Sequence, residues 1–223
     1  MCFSATASFT AGAVLLTTGI ITEKKSTTRA QKIFSSIPLI FAVQQFTEGL
    51  LWVAYQHQQF DFLIQPAVYI YMIFAQVVWP IMIPMSILLL EPRTKRKKIL
   101  RVFLISGIIA GTYLLYGILN YGVASKIECY HIYYRQYMPD LIMRYGGILY
   151  LTPIIIAPFF SSIKKVRWFG VVIILSYIVA YIFYTEYLAS VWCFFAAIIS
   201  FIIQIIINDL NKKATIEAAI ANE

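Results

Sequence analysis

The chain has 223 residues, of which 61% are hydrophobic and only 13% are charged. Soluble domains carry about 25% charged residues, so this composition, with a mean hydropathy of +0.77, excludes an ordinary soluble domain. The net charge of +8 would favour a nucleic-acid partner in a soluble protein. Here the basic residues lie in the connections between apolar runs, so we predict a lipid bilayer as the partner and no nucleic acid.

Seven apolar runs follow one another along the chain, each of roughly 18–25 residues, which is the length that crosses a bilayer as a helix. Open strands cannot cross lipid because their backbone groups would stay unpaired. The sequence therefore predicts an all-α, polytopic transmembrane bundle of seven spans. We expect one membrane domain over residues 1–210 and a short cytoplasmic tail over residues 211–223. The predicted spans are 3–22, 34–56, 66–90, 99–122, 140–162, 168–185 and 189–208.

Lysine and arginine are unevenly divided between the connections. Fifteen of the 18 basic residues lie on alternate connections, and only Lys126, Arg135 and Arg144 lie on the other side. Cytoplasmic loops are enriched in basic residues, so the N-terminus is predicted outside and the C-terminus in the cytoplasm.

The second span contains QQFTEGLLW, which places a carboxylate, Glu48, on the order of 12 Å below the outer end of its helix. An ionisable group at that depth usually faces the bundle interior or a wet cavity. Gln44, Gln45 and Trp52 lie within one turn of it. One interpretation is a site for a cation, a proton or a polar ligand. The other is a structural hydrogen bond, with Glu48 neutral or paired to Arg144.

Polar and aromatic side chains recur on the other predicted spans at helical spacing. Each stripe alone is typical of helix packing or of anchoring at the membrane interface. Together they predict an outward-facing polar cavity around Glu48 for a small molecule or a cation. Its further candidate ligand-binding residues are Gln76, Trp79, Asn120, Arg144, Tyr181 and Trp192.

The three cysteines, Cys2, Cys129 and Cys193, are all predicted at the outer face, as is His131. Thiolate and imidazole ligands suit zinc or copper, so these four residues are a candidate metal site. A disulfide between two of the cysteines is the competing interpretation, and free, inert thiols are a third. The spacing matches no established metal motif.

Three stretches, MCFSATASF, QQFTEGLLW and SVWCFFAA, together resemble an uncharacterised bacterial family of multi-span membrane proteins that open with MCFSA-x-ASF. The resemblance implies the bacterial inner membrane as the location and draws attention to Cys2, Glu48, Trp192 and Cys193. It implies no activity. Seven spans with an outer N-terminus also resemble rhodopsins, but the last span lacks a lysine for a Schiff base, so we expect no retinal.

Three classes of function fit these observations. The first is a bundle that binds, senses or moves a small ligand or cation in a cavity at Glu48. The second is a membrane-embedded metal- or thiol-dependent enzyme that uses Cys2, Cys129, His131 and Cys193, with Glu48 as general base. The third is a structural or accessory membrane subunit. Whether the protein is an enzyme stays open at this point.

Overall fold

The computed structural model describes residues 4–220, apart from the side chains of Leu141, Ile142, Cys193, Phe194, Ala196, Ala197 and Ala218. Within that range the chain is a helical bundle with one small hairpin. Its helices are α1 (Ala5–Lys25), α2 (Arg29–Ser35), α3 (Ile37–Gln56), α4 (Ile64–Ile73), α5 (Trp79–Leu90), α6 (Thr94–Tyr121), α7 (Asp140–Ile156), α8 (Lys164–Phe183) and α9 (Leu188–Ile220). The hairpin strands are β1 (Val123–Glu128) and β2 (His131–Gln136).

Six helical segments of the described residues are long and apolar enough to cross a membrane, which makes this a multi-pass membrane protein. They are Ala5–Lys25, Arg29–Gln56, Gln58–Leu90, Thr94–Tyr121, Met143–Phe160 and Lys164–Phe183. The predicted all-α bundle is confirmed in this coarse sense. The predicted seventh span, 189–208, lies within α9, so the count of seven stays a prediction. At 33 residues, α9 continues beyond residue 208 into the predicted tail.

The third apolar segment is irregular near its middle. A single π-helical turn over Phe74–Val78 joins α4 to α5, and Pro80 follows it in the first turn of α5. Proline has no N–H to donate, and π-turns are one way in which a helix absorbs a break in its hydrogen-bond ladder. The turn places Gln76 at the point where the helix is locally widened.

Helix α6 approaches this irregular segment very closely at Gly107. A Cβ atom built on Gly107 would lie 1.9 Å from the carbonyl oxygen of Pro80, which is far inside contact distance. Only glycine fits there, so the backbones of α5 and α6 pack directly against each other. Close approach through small residues is typical of membrane helix pairs.

The hairpin is the main departure from the predicted all-α fold. Strands β1 and β2 pair antiparallel, from Val123 opposite Gln136 to Glu128 opposite His131. The two turn residues, Cys129 (φ 48°) and Tyr130 (φ 61°), both have a left-handed backbone. A two-residue turn of this kind matches the twist of a hairpin and favours Asn-Gly. The sequence has Cys129-Tyr130 there instead, so it carries no hairpin signal between the predicted spans 99–122 and 140–162.

Two large buried apolar clusters, and a small third one at Leu15 and Ala42, stabilise the described part of the bundle. One contains Phe34, Leu100, Phe169 and Ile203 and lies towards the ends of the helices opposite the hairpin. The other contains Leu51, Val68, Tyr71 and Ile118, together with Ile132 of the hairpin, and lies beneath the strands. The hairpin is therefore packed onto the bundle by its own buried side chain, and residues of both clusters reach the cavity described next.

Candidate functional site

A cavity of about 500 Å³ lies between the helices, on the side of the bundle that the hairpin covers. Its walls come from α3, the α4–α5 segment, α7, α8 and the start of α9, with Leu114 of α6. Residues 133–136 of β2 and the turn at Thr185 and Glu186 line its hairpin end. Ligand sites in proteins usually measure about 300–1,000 Å³, so the space suits a small organic molecule.

Aromatic rings form much of the cavity wall. Phe41 and Trp79 stack with their ring centroids 3.8 Å apart and their planes at 22°. Trp192, also on the cavity wall, meets Tyr177 edge-on at 5.3 Å, and its indole N–H donates to the hydroxyl of Ser176 at 2.9 Å. These contacts hold the rings in fixed orientations, so the wall is rigid and presents flat surfaces.

Three glutamine side chains bring polar atoms to the cavity. Gln44 is only 1% exposed, and its Oε1 accepts a hydrogen bond from Trp79 Nε1 at 3.0 Å. Its Nε2 has no partner among the described residues, and the same holds for Gln76 Oε1 and Gln136 Nε2, all of them buried atoms. Leaving a buried polar atom unpaired costs about 1–3 kcal/mol. Such atoms call for a partner inside the cavity.

Glu48 lies next to this cavity and does not line it. Its side chain is fully buried, and its Oε1 accepts a hydrogen bond of 2.6 Å from the Ser190 hydroxyl on α9. Gln45 Nε2 lies 3.5 Å from the other carboxyl oxygen, at the limit of hydrogen bonding. The carboxylate thus joins α3 to α9, while Gln44, one turn earlier on α3, faces the cavity.

The other candidate ligand residues are divided. Gln76, Trp79 and Trp192 line the cavity. Trp52 is 4% exposed and packs in the buried cluster beneath the strands. The last three lie on the surface: Asn120 donates to the Tyr116 carbonyl of its own helix, Arg144 is exposed, and Tyr181 is 53% exposed. The structure therefore brings Gln44, Gln76, Trp79 and Trp192 together around the cavity and leaves Gln45, Trp52, Asn120, Arg144 and Tyr181 outside its wall.

Two of the four candidate metal ligands can be placed. Cys129 is a free, exposed thiol in the hairpin turn, and His131 Nδ1 lies 2.7 Å from the Cys129 carbonyl oxygen. Cys2 and the side chain of Cys193 lie outside the described residues. Among the residues that the structure describes, no group of three His, Cys, Asp or Glu side chains could hold a metal ion.

The surroundings of Cys129 and His131 are aromatic. The His131 ring stacks on Tyr187 with centroids 4.5 Å apart and planes at 16°. Partial burial, a hydrogen bond with the Cys129 thiol and the nearby carboxylates of Glu128 and Glu186 raise the pKa of Tyr187 to about 12. The phenol therefore stays neutral at ordinary pH, and the cluster fixes the hairpin turn against the connection between α8 and α9.

A second carboxylate site was missed from the sequence. Glu91, between α5 and α6, is 1% exposed and accepts hydrogen bonds from the N–H and hydroxyl of Ser162, the hydroxyl of Ser161 and the N–H of Arg93. Burial alone would raise the pKa of this carboxyl, but the hydrogen bonds outweigh it and the net pKa is lowered. Glu91 thus joins the α5–α6 connection by hydrogen bonds to the α7–α8 connection, which lies 70 residues later in the chain.

Comparison with known proteins gives one match. The model of the "Family of unknown function (DUF6629)" matches residues 1–218 of the chain. No curated protein and no solved structure matches it. The function therefore has to be argued from the geometry of the chain itself.

Proposed function

The chain belongs to DUF6629, a family of unknown function, and from its cavity we propose that it binds a small, uncharged molecule between its membrane helices. In this proposal the cavity is reached from the outer side of the membrane, through the end that the hairpin covers. Binding could serve sensing or transport, and both require the same first step.

We propose the orientation from the distribution of basic residues. Lys24 and Lys25 lie in the last turn of α1, and the connections between α5 and α6 and between α7 and α8 are also rich in lysine and arginine. By the positive-inside rule these ends face the cytoplasm. With α9 as the seventh span, the N-terminus and the hairpin then lie outside the inner membrane of a bacterium.

The observation that carries the proposal is the set of unpartnered amide atoms on Gln44, Gln76 and Gln136. They belong to three separate elements, α3, the π-turn and β2, and all three residues line one cavity. A packing role would pair these atoms with each other or with the backbone, because buried polar groups are almost always hydrogen-bonded. A polar ligand in the cavity would form hydrogen bonds with these atoms.

Glu48 has a structural role in this account. Its carboxylate is fully buried, is held by Ser190 at 2.6 Å and is not part of the cavity wall. A general base must reach the proton that it removes, and this position offers a substrate in the cavity no direct approach. The arrangement favours a binding protein over an enzyme that uses Glu48.

Solvent access to the cavity tests the proposal. Gly147 lines the cavity, and a Cβ built on it meets no atom within 4 Å, so Gly147→Cys adds a thiol without a clash. Ile148, the next residue of α7, is 59% exposed on the outer surface of the bundle and would face lipid. Both substitutions are made with the three native cysteines replaced by alanine.

We expect a small, uncharged, water-soluble methanethiosulfonate reagent to modify Gly147→Cys at least about tenfold faster than Ile148→Cys. The reagent needs a thiolate, which forms in water and not in lipid. Equal rates at the two positions, or no reaction at Gly147→Cys, would overturn the proposed cavity function.

A further inference from the structure

The chemical class of the ligand follows from the donors, acceptors and charges that line the cavity. This inference rests on the proposed function and adds to it. We propose that the ligand is a flat, uncharged ring compound that carries a carboxamide or a comparable pair of adjacent hydrogen-bond acceptor and donor.

Gln44 requires an acceptor on the ligand. The two ends of a glutamine amide are normally assigned from their hydrogen-bond partners. Here the partner is Trp79 Nε1, at 3.0 Å, and an indole N–H can only donate. Gln44 Oε1 must therefore face Trp79, and its NH₂ group is left as a buried donor without a protein partner in the described part of the chain.

Gln76 supplies the complementary group. It lies on the π-turn, three residues before Trp79, and its Oε1 is a buried acceptor without a described partner. A carboxamide can accept from Gln44 through its oxygen and donate to Gln76 through its nitrogen. With Gln76 Oε1 as the buried acceptor, a ligand that carries both groups would satisfy both glutamines.

The aromatic wall favours a planar ligand. Phe41 and Trp79 stack beside Gln44, and Trp192 and Tyr177 line the same cavity, so flat rings border the space that the polar pair faces. Stacked and edge-on contacts between rings each add about 0.5–1.5 kcal/mol to the burial of their surface in proteins. Beyond them Ile83, Ile154, Ile173 and Ile199 form an apolar end that suits an apolar substituent.

Charge on the ligand is disfavoured. Arg135 and Glu186 are the charged residues among those that line the cavity, and they belong to β2 and the α8–α9 turn, whereas Gln44 and Gln76 belong to α3 and the π-turn. A carboxylate or a cation at the glutamine pair would lose its water without gaining an opposite charge, which is strongly unfavourable in an apolar interior.

A series of four probes of nearly equal shape tests this inference on the purified, full-length protein. Benzamide has the acceptor and the donor, acetophenone has the acceptor only, benzoate is an anion, and benzamidinium is a cation. Binding is measured by ligand-observed saturation-transfer NMR. We expect benzamide to bind with a Kd on the order of 1 mM, as a fragment of this size allows. Benzoate and benzamidinium should bind at least about tenfold more weakly, and acetophenone should lie between.

Two variants locate the binding. Gly147→Trp fills the cavity and should abolish the benzamide signal. Gln76→Glu places a carboxylate at the pair and should reverse the order, so that benzamidinium binds better than benzamide. As a control for effects at the surface, Gln58→Leu changes an exposed glutamine outside the cavity and should leave the series unchanged.

The two proposals fail in different ways. If Gly147→Cys is accessible but the four probes bind equally, or a charged probe binds best to the wild-type protein, the ligand class is wrong and the cavity function stands. If Gly147→Cys does not react, the cavity function is wrong. A benzamide signal that persists in Gly147→Trp would also overturn the ligand class, because the amide would then bind elsewhere.

Discussion

The Ser190 hydroxyl at the start of α9 donates a 2.6 Å hydrogen bond to the Glu48 carboxylate on α3, and both side chains are fully buried. The two residues are 142 positions apart in the chain. Breaking a hydrogen bond between two buried groups leaves them without water as a replacement partner, so this contact ties the last helix of the bundle to the second apolar segment. It also holds α3 in the rotation that points Gln44 at the cavity.

Ser190→Ala should destabilise the protein by about 1–3 kcal/mol, because it removes a donor from a buried carboxylate. Ser86→Ala is the matched control, since Ser86 is equally buried but bonds only to the Ile83 carbonyl of its own helix. We expect the control to change stability by less than half as much. Unfolding titrations in mixed micelles measure both, and equal losses would contradict the role given to the Glu48 contact.

Gly107→Ala should disrupt the α5–α6 contact. The added Cβ would lie 1.9 Å from the Pro80 carbonyl oxygen, and overpacking of this kind costs about 1–3 kcal/mol or more. Gly147→Ala adds the same methyl group on α7 where nothing lies within 4 Å. It should be neutral or stabilising by up to about 1 kcal/mol through helix propensity. The thermal unfolding temperature should therefore fall in Gly107→Ala and stay unchanged or rise in Gly147→Ala.

Glu91→Gln should weaken the protein at neutral pH and reduce its sensitivity to acid. The folded-state pKa of Glu91 is below its ordinary value of 4.5, so its contribution to stability is fully present above that value. It is lost as the pH falls through the folded-state pKa. Wild-type stability should therefore fall more steeply than that of the variant as the pH is lowered from 5 through this range. If the stability of the two proteins fell equally steeply with pH, protonation of Glu91 would not be linked to unfolding, which would contradict the prediction.

Asp209→Asn is the control for Glu91→Gln, because it also removes a paired carboxylate but at a more exposed position. Asp209 pairs with Lys165 at 2.9 Å, but the lysine side chain is 40% exposed and the carboxylate 21% exposed. Exposed pairs contribute about 0–1 kcal/mol, so this variant should lose much less stability than Glu91→Gln in the same titration.

Tyr134→Ala should loosen the hairpin. Tyr134 of β2 stacks on the fully buried Tyr71, with centroids 4.5 Å apart and planes at 3°. Removing the ring should raise the rate of protease cleavage near residues 129–130 by more than about fivefold, since cleavage follows local opening. Tyr130→Ala alters a turn residue that is 79% exposed and should leave opening nearly unchanged. Similar cleavage in both variants would contradict the anchoring role of Tyr134.

Much of the fold could be predicted from the sequence because long apolar runs leave few alternatives to helices in lipid. The hairpin could not, since its turn residues, Cys129 and Tyr130, lack the Asn-Gly signal. The burial of Glu48 was expected from its depth. Its partner Ser190 was not named, because helical periodicity shows which face a residue occupies and not which helix meets that face.

The outward-facing cavity around Glu48 stays a prediction, and only some residues of the cavity in the structure could be named from the sequence. Gln44 and Gln76 were candidates from their positions within apolar spans, and both line the cavity. Gln136 could not be found, because its contribution depends on strand pairing that folds the hairpin over the helices. Glu91 lay outside the spans and had no local motif, so its site depends wholly on the tertiary contact with Ser161 and Ser162.

The central claim is that a neutral amide occupies the cavity beside Gln44, and the rate of thiol modification at Gly147→Cys with and without benzamide tests it most directly. At a benzamide concentration ten times its Kd, mass action predicts modification slowed by about tenfold, while benzoate at the same concentration should slow it by no more than about twofold. An unchanged rate with saturating benzamide would contradict the account, because the amide would then not lie in the cavity that Gly147 lines.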